Sequence, residues 1–292
     1  MTIAIDHSKI SITAKLVAYA RQFTDIPFAK FVSEHIGAGE AFNFIIRDYS
    51  LDSDMLKEYA VMLEARYKST VHLIAQSGIK QVLELASGFS LRGLAMLRDP
   101  QMVYVESDLE DLNREKTKLV EQLRSEFPHE AYDRHKIVTA NALDMEQLRN
   151  ACQHFQRNQP LIIVHEGLMH YFSAAERDLL TQHIRTLLSE FSGGFWMTPD
   201  FVFKAEARKI SEARKRLRQA LSGLTDRNMY EAAFDSEERL QEFFKANHLQ
   251  AKLKYQIDET PHLSSVERYH LSPEMPAKMR DHLKIWLLNP AA

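Results

Sequence analysis

The chain has 292 residues, of which 45% are hydrophobic and 26% are charged, and its formal net charge at pH 7 is −3. This composition is ordinary for a globular protein, and the length suits one large α/β domain with an insertion. The chain lacks the strong basic field of a protein that binds nucleic acid or anionic membranes, and its single cysteine, Cys152, excludes an intrachain disulfide.

The N-terminal segment gives no sign of a secretion signal, because residues 1–15 lack a long apolar stretch. The longest apolar stretch, 161–172, is interrupted by His165 and Glu166 and is too short to span a membrane. We therefore expect a soluble cytoplasmic protein that binds neither nucleic acid nor membranes.

The first 77 residues have the pattern of a helical cap. Ser11 or Thr13 is a candidate N-cap for a first helix. Apolar residues at helical spacing predict a second helix over 54–76.

After Gly78 short apolar runs alternate with helical segments. The helical segments include 112–127 and 174–188, and the apolar runs lie at 81–85, 102–105, 136–138, 161–164 and 194–197. This alternation predicts βαβ units and a mainly parallel sheet. Because the runs are continuously apolar, we expect both faces of the sheet to be buried.

Residues 201–233 depart from this rhythm and predict a helical insertion over the open edge of the sheet. One helical face is apolar and basic residues crowd the remainder; the apolar residues are Phe203, Ala207, Ile210, Ala213, Leu217 and Leu221. A helix over 236–246 and strands over 249–257 and 283–288 are predicted to follow. The predicted domains are a cap over 1–77 and an α/β domain over 78–292.

The end of the first predicted strand has the features of a ligand-binding turn. Glu84 lies in this strand, and Ala86, Ser87 and Gly88 are small enough to let the backbone approach a ligand closely. A helix after the turn would direct its N–H groups at an anionic group. Asp108 stands twenty residues beyond Gly88, where an acidic residue binds a ribose diol.

Two further strand ends carry polar residues. Asn141 and the N–H of Ala142 follow the third strand, where they could bind an adenine edge, and His165, Glu166, His170 and Tyr171 follow the fourth. Ligands of open parallel sheets bind at the carboxyl ends of strands, so the sequence predicts one nucleoside-binding site there. A nicotinamide site stays open at this point, although the pattern GxGxxG is absent.

These residues resemble the leucine carboxyl methyltransferase family, which includes bacterial O-methyltransferases linked to polyketide biosynthesis. Residues 85–92 are similar to the family pattern LGxGxDxR, with Ala86 in place of the first glycine and Ser90 in place of the aspartate. Residues 104–108 are similar to its acidic second-strand end, and 166–171 to its EGLxxYL segment. Lys15 and Arg66 stand where the family has a lysine and an arginine.

The resemblance implies a class I methyltransferase with S-adenosyl-L-methionine as cofactor. It implies a Rossmann-like, mostly parallel sheet of seven strands whose last strand is antiparallel. Lys15 and Arg66 would pair with the methionine carboxylate, Asp108 would hold the ribose, and Glu166 would lie near the methionine amino end. The expected cofactor-binding residues are Lys15, Arg66, Glu84, Ala86, Ser87, Gly88, Asp108, Asn141, Ala142 and Glu166.

We expect O-methylation of a carboxylate or hydroxyl on a small molecule. A hydroxyl must lose a proton, which makes His165 or His170 the candidate base, and Tyr171 would lie near the acceptor. Three alternatives stay open: a protein C-terminal carboxyl methyltransferase, a non-catalytic cofactor-binding module and a nicotinamide-dependent Rossmann oxidoreductase. No metal-ligand spacing is present, so no metal site is expected.

Overall fold

The computed structural model describes residues 7–49, 53–209, 212–225 and 233–291. Parts of the predicted insertion, including Ile210 and residues 226–232, lie outside the described residues. So do the side chains of Ser11, Ala207 and Ala213.

The centre of the fold is one seven-stranded sheet with the strand order β3-β2-β1-β4-β5-β7-β6. Six strands run in one direction, and β7 is antiparallel to both of its neighbours. The predicted fold class, a mostly parallel sheet of seven strands with the last one antiparallel, is confirmed. The strands are β1 (Gln81–Leu85), β2 (Val103–Asp108), β3 (His135–Thr139), β4 (Leu161–His165), β5 (Gly194–Thr198), β6 (Leu249–Tyr255) and β7 (Lys284–Pro290).

Helices cover both faces of the sheet and one of its edges. They are α1 (His7–Arg21), α2 (Ala29–His35), α3 (Ala38–Tyr49), α4 (Ser53–Ser77), α5 (Arg92–Met96), α6 (Glu110–Gln122), α7 (His129–Arg134), α8 (Met145–Ala151), α9 (Ala174–Ser189), α10 (Lys204–Lys209), α11 (Glu212–Thr225), α12 (Glu237–Ala246), α13 (Ser264–Arg268) and α14 (Met275–Met279). No helix in these described parts of the chain is long and apolar enough to cross a bilayer.

The sheet is buried on both faces because consecutive strand residues point in opposite directions. On one face Leu83, Val105 and Ile163 pack in the same cluster as residues of α8, α9 and α12. On the other face Val82 and Ile162 pack in a cluster with Leu73 and Ile74 of α4. Continuous apolar strands are therefore what this two-sided burial requires.

Two helix boundaries differ from the sequence prediction. The helix that contains Thr13 begins at His7, so Thr13 lies inside α1 and is not its N-cap. The helix predicted over 112–127 ends at Gln122 and continues as a 3-10 turn over Arg124–Glu126, just before Pro128.

Cys152 follows α8 and is fully buried in the larger core cluster. Burial raises the pKa of its thiol to about 12. Its side chain therefore behaves as a small apolar group in the folded protein.

Candidate functional site

A cavity of about 510 Å³ opens at the edge of the sheet where the parallel strands end. The strand-end loops form one side of it, and α1, α4 and α11 form the opposite side. All four strand ends named from the sequence contribute to its lining. The cavity volume falls in the range of small-molecule sites, roughly 300–1,000 Å³.

The turn after β1 is built from two residues with positive φ, Ala86 at 49° and Gly88 at 55°. The Gly88 N–H donates to Asp108 Oδ2 at 2.7 Å, and the Leu109 N–H donates to Asp108 Oδ1 at 2.8 Å. Burial raises the pKa of Asp108, and these two N–H groups oppose that rise. The turn and the acidic residue are thus held together at one side of the cavity.

A cluster of buried charged residues contacts this turn. The Lys116 ammonium lies 2.9 Å from Glu106 Oε2 and donates to Ser87 Oγ at 2.8 Å, and all three residues are buried. Glu106 Oε1 accepts from the Gly93 N–H at 2.9 Å, while Oε2 lies 3.2 Å from His135 Nε2. Burial would raise the pKa of Glu106, but Lys116 and His135 lower it to about 2.

Arginines surround the two glutamates at the centre of the site. Arg92 is fully buried and bridges Glu84 Oε1, at 2.8 Å, and Glu166 Oε1. Glu166 also accepts from Arg21 at 3.2 Å and from the Thr70 hydroxyl at 3.0 Å. Burial raises the pKa of Glu84, whereas Arg92 and Arg21 overcome the burial of Glu166 and lower its pKa.

Arg66 adds a third guanidinium to this cluster. It lines the cavity, and its buried Nε has no hydrogen-bond partner among the described residues. Arg21, Arg66 and Arg92 outnumber the two carboxylates Glu84 and Glu166 by one positive charge. This part of the cavity therefore favours an anionic group.

The loop after β4 is anchored on a carboxylate that lies just after β5. Asp200 accepts hydrogen bonds from three consecutive N–H groups, those of Gly167, Leu168 and Met169, at 2.7 to 3.1 Å. Its Oδ2 also lies 2.9 Å from His165 Nδ1. Burial acts to raise the pKa of Asp200, but the hydrogen bond and charge of His165 bring it well below its usual range.

The three candidate acceptor-site residues lie at the end of β4, in the case of His165, and on the loop that follows, in the case of His170 and Tyr171. His170 and Tyr171 line the cavity, whereas His165 is fully buried and is not part of the lining. His170 Nε2 lies 4.0 Å from Asp200 Oδ1, and burial lowers the pKa of His170. The Tyr171 hydroxyl lies 3.1 Å from the Thr13 hydroxyl.

The structure does not bring Lys15 to the cavity. Ala14, Val17 and Arg21 of α1 line it, and their i, i+3, i+7 spacing places them on one helix face. Lys15 points elsewhere, with its ammonium 4.0 Å from Glu115. Arg21 therefore lines the cavity, and Lys15 does not.

Asn141 and Ala142 line the cavity beside the Asp108 loop. The Asn141 Oδ1 accepts from the Leu143 N–H at 2.9 Å, which stabilises the loop locally. The Asn141 N–H donates to Gln147 Oε1 at 2.8 Å. Asn141 is therefore held at the end of β3 by one bond inside its own loop and one bond to α8.

Sequence reasoning did not identify Arg21, Lys116 or Asp200. Asp200 had a usable signal, because it follows the fifth apolar run at the same sheet edge as the other polar strand ends. Lys116 had no such signal in the sequence, since a lysine in a charged helix is normally exposed. Within the described ranges no group of three or more metal-ligating side chains is found.

Sequence comparison finds a family match in the central part of the chain. The model of the leucine carboxyl methyltransferase family matches residues 43–185. No curated protein matches the chain significantly in sequence.

Solved structures share the fold of this chain. A candidate methyltransferase from Thermobifida fusca YX superposes with a TM-score of 0.56 at 14% identity, over 93% of this chain and 94% of that one. A candidate O-methyltransferase from Nostoc punctiforme PCC 73102 gives a TM-score of 0.50 at 11% identity, over 80% of this chain and 59% of that one. At such identities the likeness is one of fold. The sequence match over residues 43–185 confirms the resemblance to the leucine carboxyl methyltransferase family.

Proposed function

We propose that this protein is an S-adenosyl-L-methionine-dependent O-methyltransferase acting on a carboxylate or hydroxyl of a small molecule. The observation that carries the proposal is the single cavity lined by Gly88, Asp108 and Arg66 in a chain that matches a methyltransferase family. Each of these residues meets a different part of the cofactor.

The lining fits an adenosyl amino acid. A Cβ built on Gly88 would meet no atom within 4 Å, so the turn leaves open space beside its backbone. Asp108 keeps lone pairs for a ribose diol after accepting its two backbone N–H groups. Arg66, in a cluster with one excess positive charge, provides a partner for the methionine carboxylate.

For Glu166, which the resemblance places near the methionine amino end, the contacts support a positioning role. Arg92, Arg21 and Thr70 already bind its oxygens. We therefore assign to Glu166 the positioning of these arginines, and any contact with the methionine amino group would share an oxygen with them.

Methyl transfer depends more on the positions of the methyl donor and the acceptor than on proton transfer. S-adenosyl-L-methionine, when bound, supplies a methyl group on a sulfonium to an in-line nucleophile. Holding the nucleophile in line is worth roughly 7–11 kcal/mol of the barrier. The cavity wall around His170 and Tyr171 does this by excluding water and fixing the acceptor.

His170 is the better placed of the two candidate bases. It lines the cavity, and its lowered pKa keeps the imidazole neutral near pH 7. A neutral imidazole can accept the proton of a hydroxyl acceptor. His165 instead positions the loop through Asp200.

Calorimetry tests the cofactor assignment directly. S-adenosyl-L-methionine and S-adenosylhomocysteine should bind, and NAD should not. Arg66→Met should weaken binding by about 10- to 100-fold, the loss expected for a hydrogen bond to a charged group. Arg114→Met, at an exposed site on α6, is the matched control and should bind normally.

The same titration separates the rivals. Binding of NAD without S-adenosyl-L-methionine would favour the oxidoreductase. Cofactor binding without methyl transfer to any of a panel of acids, phenols and C-terminal peptides would favour a non-catalytic module. Transfer to the peptides alone would favour the protein carboxyl methyltransferase.

A further inference from the structure

The cavity extends well beyond the cofactor-facing loops, towards the β6 side of the sheet. Gln256 directly follows β6 and lines the cavity. β6 is three positions from β4 in the strand order and ends at the same sheet edge. With neighbouring strands about 4.8 Å apart, Gln256 lies about 14 Å along the sheet from the end of β4.

Gln256 is rigidly held, with one polar atom left over. Its backbone N–H donates to the Leu283 carbonyl at 2.7 Å, and its Nε2 donates to the Lys284 carbonyl at 2.7 Å. Its own carbonyl accepts from the Thr260 hydroxyl at 2.6 Å. The side chain is buried, yet Oε1 has no hydrogen-bond partner among the described residues.

The orientation of this amide follows from its neighbours. If the amide were flipped, Oε1 would face the Lys284 carbonyl oxygen, and two acceptors would repel each other. Gln256 therefore keeps an acceptor, and no donor, for a ligand. A buried carbonyl without a partner is costly to a folded protein, so its partner is expected from outside the chain.

The surrounding wall combines apolar and charged side chains. Its apolar part comes from the β5 loop, α11 and the segment before β7, namely Val202, Phe203, Leu217, Leu221 and Leu283, and Glu206, Arg218 and His282 line the same cavity. Apolar contact therefore holds part of a ligand here, and Gln256 adds a directional bond. Such a site discriminates strongly against a ligand that lacks the matching donor.

We propose that Gln256 Oε1 accepts a hydrogen bond from a hydroxyl or N–H group of the methyl acceptor. Because the methyl donor belongs at the β1–β4 side of the sheet, this group lies on the order of 10 Å from the methylated oxygen. The acceptor is thus an elongated molecule with some apolar surface and a hydrogen-bond donor at its far end. The assignment rests on the proposed methyltransferase function.

Biphenyl carboxylates of matched shape test this assignment. The probes are 4′-hydroxybiphenyl-4-carboxylate, biphenyl-4-carboxylate and 4′-methoxybiphenyl-4-carboxylate, titrated into protein saturated with S-adenosylhomocysteine. The hydroxyl probe should bind at least about 10-fold more tightly than the other two, since only it can donate to Oε1. This comparison uses the unmodified protein, so it does not depend on whether a variant folds.

Variants then assign the preference to one residue. Gln256→Met should bring the affinity ratio close to one, with a thermal midpoint within a few degrees of the parent. Gln250→Met, at an exposed position on β6, should keep the preference and serves as the control.

Three results would overturn the assignment: equal affinities in the parent protein, no binding of any probe, or a preference that survives Gln256→Met. Uptake of S-adenosylhomocysteine is measured first. Its absence would remove the proposed function together with this assignment. Its presence without a hydroxyl preference would remove only the role of Gln256.

Discussion

Ala86 and Gly88 adopt nearly the same left-handed backbone conformation, although only one of them is glycine. An alanine in this region costs roughly 1–2 kcal/mol, and the turn retains it through the bonds that bind Gly88 and Asp108 together. The site is therefore built on backbone strain at a single residue.

Opposite substitutions at these two positions should change stability in opposite directions. Ala86→Gly should raise the free energy of unfolding by about 0.5–1 kcal/mol, because relieved strain exceeds the added freedom of the unfolded chain. Gly88→Ala should lower it by about 1–2 kcal/mol although space is available for the methyl group. Urea denaturation measures both, and a change of the same sign in the two variants would contradict this explanation.

His170 should set the acidic limb of the pH profile. Burial lowers its pKa below the ordinary 6.5, Arg66, Arg218 and His165 act in the same direction, and Asp200 opposes them. With a hydroxyl acceptor, kcat/KM should rise through a midpoint below pH 6.5 and be constant above pH 7, because only the neutral imidazole is a base.

His170→Gln should remove this limb and lower kcat by about 10²- to 10⁴-fold, the usual contribution of a general base. Rates measured from pH 5 to 8 provide the check. An unchanged limb in the variant would assign it to another group, and an unchanged rate with the hydroxyl acceptor would show that His170 is not the base.

The element that most determines the geometry of the site is the loop between β4 and α9. It carries Glu166, His170 and Tyr171, and the N–H groups of Gly167, Leu168 and Met169 donate to Asp200, which follows the neighbouring strand. Two strands that are adjacent in the sheet thereby position residues that are adjacent in the cavity.

Asp200→Asn should destabilise the protein by about 3 kcal/mol or more, since bonds to a buried charged acceptor are lost. The folded-state pKa of Asp200 is lowered, so its contribution is complete above the unfolded value near 4 and decreases only as the pH falls below it. The difference between parent and variant should therefore be full at pH 7 and smaller at pH 3.

Urea titrations at the two pH values measure this difference. Asp144→Asn is the matched control, because asparagine replaces aspartate well at an N-cap such as the half-buried one of α8. A difference for Asp200→Asn that is the same at both pH values would contradict the electrostatic explanation.

Among the elements of the fold, the strands could be predicted from the sequence more reliably than the contacts between strands. β1 has the predicted bounds because an apolar run between Gly78 and small residues has a unique interpretation as a buried strand. Arg21 and Asp200 could not be assigned roles, since these depend on which helix face and which neighbouring strand meet the cavity. The position of Lys15 shows this well: one helical step, about 100°, separates it from the lining residue Ala14.

In the whole molecule, the two ends of the cavity are lined by different parts of the chain. The residues that match the family, 43–185, contain Arg66, Gly88, Asp108 and the loop after β4. Phe203, Leu217 and Gln256, which line the other end of the cavity, lie outside them. This is why the sequence indicates a cofactor class clearly and an acceptor hardly at all.

Because Cys152 is buried, the reaction of its thiol with a labelling reagent can report when the protein unfolds. As the chain's single thiol, fully enclosed and with its pKa raised to about 12, it should resist iodoacetamide at pH 8 while the core is closed. The mass of one adduct should then appear at the rate of global unfolding, with a urea midpoint equal to that seen by circular dichroism. Faster labelling in native buffer would instead reveal a local opening around α8.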